Sequence, residues 1–257
     1  MKTKHLLAVL VAIAVVVAPM VVTADTFIRQ ATHQDAMKMG PQTIPATDDT
    51  TETWLGVGKT RTQTAKGTVI IDGEKGMIYM IDDDKKTYSE IPAADLGNLE
   101  KMMGMEGMEE EEKAMMKQQM QAMMAMMQVS MTVTPTEETM EIKGWKCKKY
   151  LMDMSMGMAA VKSEAWVTKD VELDWSALWK LTNVMTLMMP GAEKVIEEAK
   201  KMEGIPVLSK GTATVMGQQV NSTTEVLEIT TKDAPAGTYN LPEGYKKEDF
   251  SFGPGMN

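Results

Sequence analysis

The chain is poor in the residues that carry chemistry. It has one cysteine, Cys147, and two histidines, His5 and His33. Arginine stands at Arg29 and Arg61 alone. A lone cysteine closes no internal disulfide. A serine or cysteine nucleophile needs a nearby base, usually histidine, and here almost none is supplied. Aromatics make up 5% of the chain, so the apolar bulk has to come from Met, Val, Ile, Leu and Ala. Positive charge is also short. Lys and Arg total 27 against 36 Asp and Glu, a formal net charge of −9. That balance repels nucleic-acid phosphates and anionic membrane surfaces.

One long apolar run is present, Leu6 to Ala18, behind Lys2 and Lys4. Pro19 breaks it, and Val22-Thr23-Ala24 offers compact residues at cleavage positions. This reads as a secretory signal, residues 1–24, cut before Asp25. A spanning helix needs roughly 20 apolar residues, so a stable transmembrane anchor is not expected. The location implied is periplasmic or secreted. Cleavage leaves 233 residues and a net charge of −11, enough for one large domain or two small ones.

Residues 25–53 are low in bulky side chains and read as a flexible lead-in containing His33. From Trp54 the apolar period becomes two. GTVIID (67–72), MIYMID (77–82) and TYSEI (87–91) are separated by tight turns and predict an antiparallel meander. VSMTVT (129–134) alternates strictly, and Pro135 is expected to end it. Further strands are predicted within 138–156, 164–173, 205–216 and 218–230. Helical spacing appears at 174–189 and 192–202. Eight to ten strands and two helical excursions result, with no repeat and no linker. The domain expected is 54–257, with a methionine-rich helical insertion at about 98–128.

Methionine is what the chain has in excess, 29 residues. Glu109 to Met127 predicts a helix, with glutamates at the end where the dipole favours negative charge. Met116, Met120, Met123, Met124 and Met127 fall in one stripe of it. In MDMSMGM (152–158) a methionine recurs at every second position, including Met154 and Met156, which places them on one face of a strand. Three uses compete: a thioether trap for Cu(I) or Ag(I), a pliable apolar lining for a guest, or plain core. The wide dispersal of methionine favours the latter two. Carboxylate runs such as Asp82 to Asp84, Glu137-Glu138 and Glu197-Glu198 lie in turns or on helix surfaces and read as solvated faces. Cys147 in GWKCKKY shares a strand face with Trp145, while Lys146 and Lys148 point the other way. It reads as a small buried hydrophobe.

GTVIIDGEKGMIYMIDDDKKTYSEIP, IKGWKCKKYLM, AWVTKDVELDW and YNLPEGYKK, in that order, resemble an uncharacterised bacterial exported family, a domain of unknown function placed near the LolA-like lipoprotein carriers. The resemblance spans roughly Trp54 to Asp249. It implies an α+β fold: a curved antiparallel half-barrel with helices covering the concave face, where acyl chains are held. No functional residue carries over from it.

The function expected is non-catalytic binding of an apolar ligand, a lipid or lipid-bearing molecule, between sheet and helices. The candidate lining is Met116, Met120, Met123, Met124, Met127, Met154, Met156, Trp175 and Trp179. No cofactor and no catalytic or metal residue is expected. The alternatives are a Cu(I)/Ag(I)-binding envelope protein and a structural or sensory domain whose partner is another envelope protein.

Overall fold

Thr, Val and Ile recur along this chain at alternate positions, and β-branched side chains fit a pleated surface better than a helix. In the computed structural model the outcome is a mainly β protein. The structure describes residues 24–39, 42–97, 109–115, 118, 129–157, 159–171, 192–215 and 217–250. The strands are β1 (Thr26–Gln34), β2 (Met37–Met39), β3 (Gln42–Ile44), β4 (Thr47–Gly56), β5 (Lys59–Thr64), β6 (Gly67–Asp72), β7 (Met77–Asp82), β8 (Thr87–Pro92), β9 (Val129–Ile142), β10 (Trp145–Met156), β11 (Ala159–Thr168), β12 (Ile205–Val215), β13 (Gln218–Thr231) and β14 (Lys246–Lys247). A 3-10 turn, Ala93–Gly97, follows β8, and one α-helix, α1 (Ala192–Ala199), precedes β12.

Twelve strands form one open sheet in the order β14-β8-β7-β6-β5-β4-β1-β13-β12-β11-β10-β9. Every pairing is antiparallel except β14 on β8. β2 and β3 make a separate two-stranded ribbon.

This corrects the α+β expectation. Strand accounts for 62% and helix for 10%, so helices do not cover a concave face. Among the described residues α1 is the only α-helix that spans a full element, and it packs against β9, the edge strand. Residues 110–115 are also helical, as expected at the start of the methionine helix. The rest of that helix apart from residue 118, 116–117 and 119–127, and the predicted helix at 174–189 lie outside the described residues.

The lead-in needs the same correction. Residues 26–34 and 47–56 are strands, and β1 is flanked by β4 and β13 near the middle of the sheet. Low bulk was misread as low order. Thr-rich segments lack large apolar side chains, yet they supply β-branched residues that pair well. Phe27 and Trp54 face each other across β1 and β4 at 4.8 Å, and Lys232 stands 4.7 Å from the Phe27 ring.

Pro135 does not end its strand. β9 continues to Ile142, and its register against β10 shifts between Lys148 and Tyr150, next to the proline. A proline is tolerated on an edge strand or at a bulge, where its missing N–H breaks no ladder bond. The β9–β10 hairpin closes through Lys143 and Gly144, both at positive φ (50° and 87°). That is the two-residue turn whose twist matches antiparallel strands.

Among the described residues the core forms three patches. Val133, Tyr150, Ala165 and Val167 form one, with Met131, Met152 and Met202 against it. Cys147, Trp166, Val207 and Val226 form another. Ile78 and Ile91 form the third, near the C-terminal Phe250.

Candidate functional site

β10 reads WKCKKYLMDMSM, and successive side chains of a strand point to opposite faces. One face therefore carries Trp145, Cys147, Lys149, Leu151, Asp153 and Ser155. The other carries Lys146, Lys148, Tyr150, Met152 and Met154. The first face is solvated along its later half: Leu151, Asp153 and Ser155 are exposed, as are Ser130, Thr132 and Thr134 of β9.

The second face is apolar over its later half, and its neighbours continue it. Met152 stands opposite Val133 and Met154 opposite Met131 on β9. On β11, Met152 faces Ser163 and Met154 faces Val161. β12 then adds Gly211 opposite Ser163 and Ala213 opposite Val161. Long, adaptable thioether side chains on β9 and β10 thus border a strip of small ones on β11 and β12. The result is a shallow apolar shelf whose floor falls away beside the methionines. Gly211 belongs to this strip because a Cβ there would stand 3.1 Å from the Ser163 Cβ. Met154 is 36% exposed on the shelf, whereas Val133 at 3% and Ala165 at 0% are its base.

α1 bounds the outer edge. Its buried residues are Ala192 and Ile196. The Glu198 carboxylate accepts a hydrogen bond from the Val133 backbone N–H at 2.8 Å, and its other oxygen pairs with Lys201 at 2.6 Å. Those two contacts, the lysine first, hold the Glu198 carboxyl below the usual carboxylate range. An edge strand has unpaired N–H groups, and here a helix side chain satisfies one. Met202, just past α1, packs on the same core patch as Met131 and Met152.

The Lys146 end of the face opens into a groove of about 570 Å³. Tyr150 and Val167 belong both to its lining and to the core beneath the shelf. Lys146, Lys148 and Lys169 line it together with Glu141, Asp170 and Glu203. Lys169 is ion-paired with Glu203 and holds that carboxyl below its ordinary value. Asp170 accepts the Lys146 backbone N–H at 2.8 Å.

Cys147 is buried at 3% beside Trp145 and Trp166, as the strand reading expected, and burial pushes its thiol up. A raised thiol is a poor nucleophile. His33 is half exposed on β1, with Nδ1 2.7 Å from Asp48 and Nε2 3.3 Å from Asp35. Among the described residues no three His, Cys, Asp or Glu side chains form a metal-holding group.

Of the candidate lining, Met154 lies on the shelf. Met156 occupies the next position of β10, opposite Val129 and Ala159; its side chain lies outside the described residues. Met116, Met120, Met123, Met124, Met127, Trp175 and Trp179 lie outside them too. Met131, Met152, Lys146, Lys148 and Tyr150 were not among the candidates. The signal for them was present: taking every second residue from Lys146 gives lysine, lysine, tyrosine, then methionines.

No helix among the described residues is long and apolar enough to cross a membrane. A family model described as a domain of unknown function (DUF4412) matches residues 100–245, more than half of the chain. That span includes β9 to β13 and α1, and hence the whole shelf. No curated protein matches the chain.

Proposed function

We propose, from the premise that the chain belongs to the domain-of-unknown-function family DUF4412, that it is a non-catalytic exported protein that binds an apolar guest, a lipid or the lipid part of a larger molecule. The observation that carries this reading is the shelf: Met131, Met152 and Met154 beside Val161, Ser163, Gly211 and Ala213. The reading rests on that face alone and not on the helix-covered half-barrel that the carrier resemblance implied. Methionine is unbranched and polarizable, so such a surface accepts many shapes. The mechanism is partition. Each buried methylene contributes about 0.8 kcal/mol, so roughly ten carbons supply about 8 kcal/mol before the costs of association.

The test is binding of a fluorescent fatty acid to Met154→Glu and Met154→Leu. Met154 is partly exposed, so neither change removes core. A carboxylate on the shelf is expected to weaken binding at least about tenfold. Leucine keeps the apolar surface and is expected to stay within about twofold. Equal binding by the wild type and Met154→Glu, with the fold intact, rejects the shelf as the site.

A second reading is carried by the direct opposition of Met131 and Met154, with Met152 on the same face. Thioethers favour Cu(I) and Ag(I). Replacing all three by leucine removes sulfur and keeps apolar area. Cu(I) titration against a chelator therefore separates the two readings: sub-micromolar binding lost in the triple variant selects the metal.

A further inference from the structure

We infer that the guest is an anionic single-chain amphiphile, with its head at Lys146 and Lys148 and its chain along Met152 and Met154. This rests on the apolar-guest reading and adds the head group to it.

The polarity of β10 changes along one face of one strand. Lys146 and Lys148 come first, then the buried Tyr150, then Met152 and Met154. At ~3.4 Å per residue, Lys148 to Met154 spans about 20 Å. An apolar face with a cationic end of that length, the two joined through the buried Tyr150 against whose cluster Met202 packs, matches a chain with a charged head.

The two lysines are less committed than their neighbour: Lys148 acts on Glu203 only through its charge, and Lys146 has no such partner among the described residues. Lys149, on the opposite face, is held by Glu164 at 3.0 Å and Glu138 at 3.3 Å, and its ammonium lies 5.7 Å from the Trp166 ring centroid. Neither Lys146 nor Lys148 has an ion pair or side-chain hydrogen bond among the described residues, although both line the groove. Its third lysine, Lys169, is taken by Glu203. Of the other two carboxylates, Asp170 is engaged by the Lys146 backbone N–H. Glu141 stands opposite Lys146 in register but forms no ion pair with it among the described residues. The acidic chain as a whole repels anions. With three lysines against three carboxylates the groove is balanced where the chain as a whole is acidic, and the long stems of Lys146 and Lys148 extend the track toward the charge.

The experiment compares dodecanoate, dodecanol and dodecyltrimethylammonium, each displacing a neutral fluorescent probe from the mature chain. Dodecanoate is expected to bind about fivefold tighter than dodecanol, and the cation weakest. In Lys146→Gln/Lys148→Gln the dodecanoate advantage is expected to fall below about twofold, with dodecanol unchanged and circular dichroism preserved. Lys162→Gln, on the opposite face, is expected to keep the full advantage, and added salt to erase it. Equal binding of dodecanoate and dodecanol by the wild type, or a preference for the cation, overturns the head-group assignment and leaves the apolar shelf standing. If none of the three displaces the probe, both readings fall.

Discussion

His33 shows what residue identity alone conceals. On the sequence it has no company. In the fold its ring bridges Asp48 on β4 and Asp35 beyond β1, and Asp35 is tied in turn to Asn221 of β13 at 3.0 Å. The hydrogen bond that Asp48 accepts from the ring leads in raising its pKa above the ordinary 6.5. A raised folded-state pKa means the folded protein binds the proton more tightly than the unfolded chain does. The stability it contributes is fully present below pH 6.5 and is lost as pH rises through the folded value. The urea midpoint of the wild type is therefore expected to exceed that of His33→Gln near about pH 5.5, with the gap closing by about pH 8.5. A gap independent of pH would count against the bridge. The effect is small, because these groups are half exposed and water screens them.

At the scale of elements, α1 and β9 depend on one another. α1 has eight residues, too few to be stable alone in water. It is held by burial of Ala192 and Ile196 and by the Glu198 contact to the edge of β9. Gly204 then turns the chain into β12 at φ 150°, where a Cβ would come within 2.1 Å of the Thr168 carbonyl oxygen. Only glycine allows so close a crossing. Glu198→Ala is expected to speed amide exchange at Val133 about tenfold while leaving central-strand amides unchanged. Unchanged exchange at Val133 would show that the carboxylate does not guard the edge. Exposure of that edge is also expected to raise self-association, measured by sedimentation.

For the whole molecule the decisive strand is β1. It pairs with β4 on one side and β13 on the other, so Thr26 lies beside both Leu55 and Thr231. Residues from the two ends of the chain meet at the centre of the sheet. The C-terminal segment fastens the same region: the Lys232 N–H donates to the Asp25 carbonyl at 2.9 Å, and β14 docks on β8 with Lys247 on Glu90 at 2.6 Å. Such non-local pairing is slow to form, on the order of milliseconds to seconds. Deleting residues 25–36 is expected to abolish the single cooperative unfolding transition, because the β4–β8 and β9–β13 halves would lose their shared strand. A truncated chain that still unfolds in one sharp step at the wild-type midpoint would contradict that role.

The alternation of GTVIID, MIYMID and TYSEI settled the β6–β8 meander almost to the residue, since a period of two has one structural reading. The same alternation put Cys147 with Trp145, Lys146 and Lys148 on the face opposite them, and Met152 with Met154; the unbroken strand β10 then joined those lysines and methionines on one face. Local pattern could not say which strands become neighbours. Pairing Met154 with Met131, seating Thr26 against Thr231 and placing α1 on an edge are choices among distant segments, made by hydrogen-bond register and burial across the whole sheet. Reading the lead-in as loose and Pro135 as a terminator failed for that reason: a threonine-rich strand is secured by the strands on either side of it, and a proline is harmless only where no further strand follows.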